Sequence, residues 1–251
     1  GFIIIPYNDT KALAKALENK NVAGFLIEPI QGEAGVLVPD EGYLLKAKQL
    51  CEAANVLFMA DEIQTGLART GKMLACDHEN VHPDILLLGK ALSGGMLPVS
   101  AVLADDEIMM TIKPGEHGST YGGNPLACKV AMVALQVLKD EKMAENAIAM
   151  GQLLRQGLIN LNSKHIALVR GKGLLNAIII QHPDKEAAWE LCLELKENGL
   201  LAKPTHGDKI RSAPPLVITK DQIMESVEII GKRLVKKKKK KPIISTGNYN
   251  Y

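Results

Sequence analysis

Aromatic side chains are scarce in this sequence: three Phe, five Tyr and one Trp among 251 residues. Such a chain offers no platform on which successive bases could stack, which counts against a nucleic-acid partner. Cysteine is sparse too. Cys51, Cys76, Cys128 and Cys192 stand far apart, form no CxxC pair, and read as reduced, mostly buried thiols of an intracellular protein. Cys76, His78 and His82 are close together, but their spacing fits no standard zinc motif and a fourth ligand is missing, so no metal is expected. No apolar run approaches bilayer-spanning length, so no membrane partner is expected. A P-loop is missing as well, because Asp84 and Ala91 stand where GxxxxGK[ST] needs glycine and a hydroxyl. The stretch GKGLLN at 171–176 lacks the last glycine of a dinucleotide fingerprint. No internal repeat is visible.

Positive charge is also thinner than the formal net of +2 suggests, because six lysines lie in one run, Lys236 to Lys241. The rest is a mildly acidic globule, not a basic binding face. Residues 236–251 read as a solvated, disordered tail outside the evolved domain; tethering to nucleic acid or anionic lipid is the alternative. The chain opens with Gly1 and a strand-like FIII, which suggests a fragment or a processed product.

What is present is an ordinary globular composition, 47% hydrophobic and 23% charged, long enough for a real core. Residues 1–9 read as a strand and turn, with Asp9 or Thr10 capping a helix that places Leu13 and Leu17 on one face. Strand-like Val22–Ile30 follows, then a helix from Gly42 to Ala54 with Leu44, Leu45, Ala47 and Leu50 as its buried stripe. Val56–Ala60 and Ile85–Leu88 read as buried strands. Alternating strands and helices point to an α/β fold with a mostly parallel sheet. Val99–Leu103 is a shorter strand, and beyond the glycine-rich loop 115–123 come long helices to about Leu161. From Leu168 the rhythm changes to strand (LVRGKGLLNAIII), helix (Lys185–Glu197), strands at Leu200–Ala202 and Lys209–Ala213, and a final helix, Lys220–Leu234. That is a small α+β unit, so the expected domains are 1–141 and 142–235.

The chemistry gathers at strand ends. In an open parallel sheet ligands bind at the carboxyl ends of the strands. There the sequence places Glu28 with Glu33, Asp61 with Gln64, and Lys90 inside PDILLLGKALSGGMLP. Successive strand residues face opposite ways, so Asp61 and Glu62 do not share a pocket. Partial desolvation would make the Lys90 amine a nucleophile. One lysine, one carboxylate and one amide suit pyridoxal phosphate, which needs an amine for its aldehyde and a carboxylate opposite its ring nitrogen. Ser119 and Thr120, in a glycine-rich loop, supply hydroxyls for its phosphate.

Five motifs in order carry a resemblance: IEPIQGEAGV (27–36), ADEIQTGLARTGK (60–72), PDILLLGKALSGG (83–95), GEHGSTYGGNPLAC (115–128) and GLLAKPTHGDKIRSAPPLVI (199–218). Together they resemble the class III aminotransferases over residues 1–235. The resemblance implies fold type I: part of a large, mostly parallel-sheet domain, a small C-terminal domain, and a homodimer with its sites at the interface. It makes Lys90 the lysine that bonds pyridoxal phosphate and shuttles the proton. Asp61 would pair with the ring nitrogen and Gln64 with the phenolic oxygen. Thr120, with Ser119 beside it, would reach the phosphate of the other subunit. Glu28 would lie near cofactor and substrate, and Glu33 with Arg211 would form a pair that gates substrate choice. GLLAKPTHG and Tyr121 lean toward members that pass ornithine's δ-amino group to 2-oxoglutarate, a step of proline biosynthesis. Members acting on acetylornithine or 4-aminobutyrate are the alternative, and a non-catalytic remnant is another. The animal members imply the mitochondrial matrix. Two departures stand out. Ser212 follows Arg211 where the family usually has a large apolar residue. The family's N-terminal part, with its phosphate-holding helix start and ring-stacking aromatic, is not in this sequence, so this polypeptide alone is expected to be weakly active or inactive.

Overall fold

The structure is a computed structural model that describes residues 1–184 and 186–235. The tail expected at 236–251 and Lys185 lie outside the described residues. Helix α1 (Thr10–Ala16) starts where Asp9 accepts the Lys11 and Ala12 N–H groups at 3.0 and 2.9 Å, a side-chain cap. Strand β1 (Gly24–Ile27) leads through the 31–37 loop to α2 (Tyr43–Ala54) and β2 (Leu57–Asp61), and β3 is Ile85–Leu88. Residues 24–27 pair in parallel with 57–60, and Met59–Asp61 with Ile85–Leu87. The sheet order is β1-β2-β3-β4, with β4 (Ala101–Ala104) antiparallel to β3. The connection into β4 holds only a 3₁₀ turn, Lys90–Ser93, and no crossover helix that could bring the chain back parallel.

The remaining elements are α3 (Asp106–Met109), α4 (Pro125–Asp140), α5 (Met143–Asn160), β5 (Ile166–Lys172), β6 (Leu175–Ile180), α6 (Ala187–Lys196), β7 (Lys203–Thr205), β8 (Lys209–Ser212) and α7 (Lys220–Val235). Four of these strands make a wholly antiparallel second sheet, ordered β5-β6-β8-β7. Each sheet has its own core. Leu13, Tyr43, Ala47, Cys51 and Phe58 pack under the first, and Leu154, Leu158, Ile178, Leu191, Ile210 and Ile223 under the second.

Several expectations are corrected. Residues 2–5 form no strand; Phe2 and Ile4 are almost fully exposed, because no described strand offers them a ladder. LVRGKGLLNAIII is not one strand but the hairpin β5–β6, turned at Gly173, whose φ of +53° suits glycine. The strand expected at Leu200–Ala202 lies at Lys203–Thr205, where Pro204 is tolerated because β7 is an edge strand. In α2 the buried stripe is Tyr43, Leu44, Ala47 and Cys51, and Leu45 is exposed.

The two sheets meet along one seam. Ile30 and Val36 pack on Leu175 and Ala177. Arg170 of β5 donates through Nε and Nη2 to the Gly35 carbonyl at 2.9 and 2.8 Å. Gly173 is the tightest point: its carbonyl accepts from Arg155 at 2.9 Å and Asn176 at 3.1 Å, and a Cβ on Gly151 of α5 would stand 1.8 Å from that oxygen. Gly151→Ala is therefore expected to destabilise the fold by about 1–3 kcal/mol, despite alanine's better helix propensity. Thermal unfolding of the whole protein checks this; an unchanged or raised Tm would show that α5 shifts freely.

Candidate active site

The strand ends β1, β2 and β3 lie side by side, so the chain leaving each of them reaches the same edge of the sheet. Beyond that edge, between the two sheets, is a cavity of about 1030 Å³. Lys90, Gln64, Glu33 and Arg211 all line it. Those four come from three separate loops of the first sheet and one strand of the second.

Lys90 opens the 3₁₀ turn directly after β3. Its φ is +44°, a left-handed conformation that costs a non-glycine residue about 1–3 kcal/mol and persists only where its surroundings impose it. Gly89 lets the β3 end lie against the 63–64 loop, since a Cβ there would meet Ile63 Cγ2 at 3.2 Å. The desolvation expected of Lys90 is absent: the residue is exposed at the cavity. Nothing in the described chain covers that side.

Gln64 is fixed from two directions. Arg211 Nη1 donates to its Oε1 at 2.5 Å, which leaves the amide N–H₂ as the free donor. Gly32 lies flat against the same amide, and a Cβ there would stand 2.5 Å from the amide carbon. Glu28 does not line the cavity; its Oε2 accepts the Gly32 N–H at 3.1 Å and so anchors the loop that carries Glu33. Arg211 Nη1 also donates to Glu33 Oε1, closing the ion pair. That contact, with the charges of Lys203 and Lys90 nearby, holds the Glu33 carboxyl below the usual carboxylate range. Ser212 sits in register with Asn176 of β6, next to Arg211.

Asp61 ends β2, half-buried, and its Oδ1 accepts the Ile63 N–H at 3.0 Å; it is not part of the cavity lining. Its neighbour Glu62 also lies outside the cavity lining. Glu62 is buried, bonded to Thr65 Oγ1 and to the Cys76 N–H, and burial pushes its carboxyl up. Ser119 and Thr120 are exposed and do not reach this cavity; the Ser119 hydroxyl accepts the Gly122 N–H at 3.0 Å instead. The amine, carboxylate and amide thus share one sheet edge, while the hydroxyl loop stands apart.

Arg69 and Lys203 are among the lining residues that the sequence did not single out. Arg69 donates through Nη1 to the Leu174 and Pro214 carbonyls at 3.1 and 2.6 Å, stitching the sheets together, and burial lowers its pKa. Lys203 of β7 approaches Glu33 Oε2 at 3.7 Å. Both lie inside motifs already quoted, and a cation amid apolar neighbours was the available signal.

The comparisons with known proteins agree on one kinship. A family model described as "Aminotransferase class-III" matches residues 5–234. A Rattus norvegicus protein named "Ornithine aminotransferase, mitochondrial" is 66% identical over 235 residues, covering 94% of this chain and 54% of the relative. Its Drosophila melanogaster namesake is 63% identical with the same coverage. Among solved structures, the acetylornithine aminotransferase of Elizabethkingia anophelis superimposes with a TM-score of 0.90 at 62% identity, over 94% of this chain and 60% of that one. An ornithine aminotransferase of Toxoplasma gondii, described with partial occupancy of PLP at its active site, gives a TM-score of 0.91 at 50% identity, over 94% of this chain and 56% of that one. The chain spans about half the length of the curated relatives it matches.

Proposed function

We propose, from the premise that this chain belongs to the class-III aminotransferases, that the whole protein moves the δ-amino group of ornithine to 2-oxoglutarate, giving glutamate semialdehyde and glutamate. The reading rests on one observation: a single cavity lined by a lysine amine, an amide and a carboxylate-paired arginine. Pyridoxal phosphate fits this donor set, its aldehyde accepting the substrate's amine and its ring taking up the electrons left when a C–H bond breaks.

Lys90 would bond the cofactor at rest and, once displaced, use Nζ to take the proton from the substrate carbon that bears the amine and return it. Asp61, at the neighbouring strand end, would keep the ring nitrogen protonated. Gln64, its Oε1 engaged by Arg211, has its amide N–H₂ left to donate to the phenolic oxygen. Ser119 and Thr120, exposed on their loop, would serve the phosphate of a second copy in a homodimer. Glu28 acts through Gly32 to hold the Glu33 loop in place.

The Glu33–Arg211 pair decides which carbon reacts. While the pair is closed, no free guanidinium draws an α-carboxylate toward Lys90, so ornithine enters with its δ-amine. When the pair opens, Arg211 binds a carboxylate of 2-oxoglutarate through two N–H groups. The relatives named mitochondrial support placing the protein in that organelle, and the matrix is our reading. Among the described residues no helix is long and apolar enough to cross a membrane.

Acetylornithine is the second reading, favoured by the 62% identical acetylornithine aminotransferase structure. Turnover of ornithine, N²-acetylornithine and 4-aminobutyrate by the whole protein separates them. Ornithine is expected to be used best, with glutamate semialdehyde as product. Preference for the acetylated amine, or no turnover of any of the three, would overturn the proposal.

A further inference from the structure

The gate has a third member that its two-residue description leaves out. Lys203 and Arg211 face each other directly across the β7–β8 pair. Like charges in that position repel, yet here both point toward one carboxylate. Arg211 takes Glu33 Oε1, and Lys203 Nζ stands 3.7 Å from Oε2. The two cations thus address different oxygens of the same group. Arg211 is largely covered, its side chain 16% exposed, whereas that of Lys203 is 64% exposed and has room to swing. The backbone beneath Lys203 is stiff, because Pro204 follows it on the edge strand.

Opening the Glu33–Arg211 pair has a cost that this arrangement meets. A carboxylate expelled from a guanidinium would otherwise stand uncompensated beside an incoming dicarboxylate, and like charges at close range repel. We infer, resting on the ornithine reading above, that Lys203 is the alternate partner of Glu33 and holds its carboxylate aside while Arg211 binds the second substrate. The gate is then an exchange of partners. In this role Lys203 acts through Glu33, as a positioning residue.

The test measures the two half-reactions separately in the whole protein. Lys203→Met keeps the stem and removes the charge. It is expected to raise the KM for 2-oxoglutarate roughly two- to fivefold, the range of a single exposed ion pair. The ornithine half-reaction should keep its rate, and Lys203→Arg should restore the parent KM. In a Glu33→Gln background Lys203→Met should change nothing further, since the charge it was holding is gone. An unchanged KM for 2-oxoglutarate in Lys203→Met overturns the inference while the ornithine reading stands. An undiminished effect in the Glu33→Gln background also overturns it, because Lys203 would then be binding substrate itself. A parent protein that does not react with ornithine removes the reading and the inference together.

Discussion

Replacing Lys90 by alanine in the whole protein is expected to lower turnover about 10⁴-fold, the upper range for one positioned acid–base group. The same change should abolish the visible absorbance band that bound pyridoxal phosphate gives. The expectation rests on position. Lys90 is the amine that the β3 end delivers to the cavity, and its surroundings hold it at φ +44°. That strain is evidence for a role, since a lysine needed only for solubility gains nothing from a left-handed backbone. Two controls keep the result interpretable. Circular dichroism should be unchanged, because the Lys90 side chain is exposed and supports no core contact. Added small primary amines should recover part of the turnover by supplying the missing proton acceptor. A Lys90→Ala protein that keeps both the absorbance band and its activity would move the cofactor-bonding role elsewhere and remove the assignment.

The exposure of Lys90 also shows where the sequence was legible and where it was not. Hydrophobic period and turn residues sufficed for the strands that end in Asp61 and beside Lys90, because a buried run bounded by glycine and acidic residues has few other uses. They sufficed for the first of the long helices, α4, where Ala127, Val130, Ala131, Ala134, Leu135 and Leu138 form the less exposed face. They failed where a partner decides the state. The FIII run at the start has the composition of a strand but no strand to pair with among the described residues. The antiparallel turn of β4 depends on the absence of a crossover helix, and no residue in Val99–Leu103 records that. Burial around the site behaves in the same way. Lys90 is exposed although the residues around it are largely apolar, so its burial is not encoded in the residues adjacent to it. Motif resemblance supplied Glu33 and Arg211, which are 178 residues apart in the chain and which no local pattern could join. It did not supply Lys203 or the clip made by Arg69, because their significance lies in the register of β7 on β8 and in carbonyls on the far side of the seam.

Arg211→Lys is the change that separates charge from shape at this gate. Lysine retains the positive charge and so retains an attraction for Glu33. It loses the planar fork, and with it the ability to offer two parallel N–H groups to a carboxylate. In the structure both contacts, to Glu33 and to Gln64, come from one nitrogen, Nη1, of a guanidinium that has two others. A single ammonium has no second nitrogen to offer a carboxylate alongside, so the two-pronged contact to 2-oxoglutarate is lost. The KM for 2-oxoglutarate is therefore expected to rise by roughly thirtyfold, about 2 kcal/mol for weakening a largely covered charge contact. The ornithine half-reaction should change by no more than about threefold, because closing the pair needs only opposite charge at an exposed carboxylate. Gln64 provides an independent readout. With the guanidinium gone, its Oε1 loses the 2.5 Å donor that orients the amide, so the amide would no longer be held toward the phenolic oxygen. A displaced absorbance maximum of the bound cofactor should accompany the kinetic change. If both half-reactions slow equally and the absorbance stays put, Arg211 only braces the wall of the cavity, and the order in which the two substrates are admitted must be set by another residue.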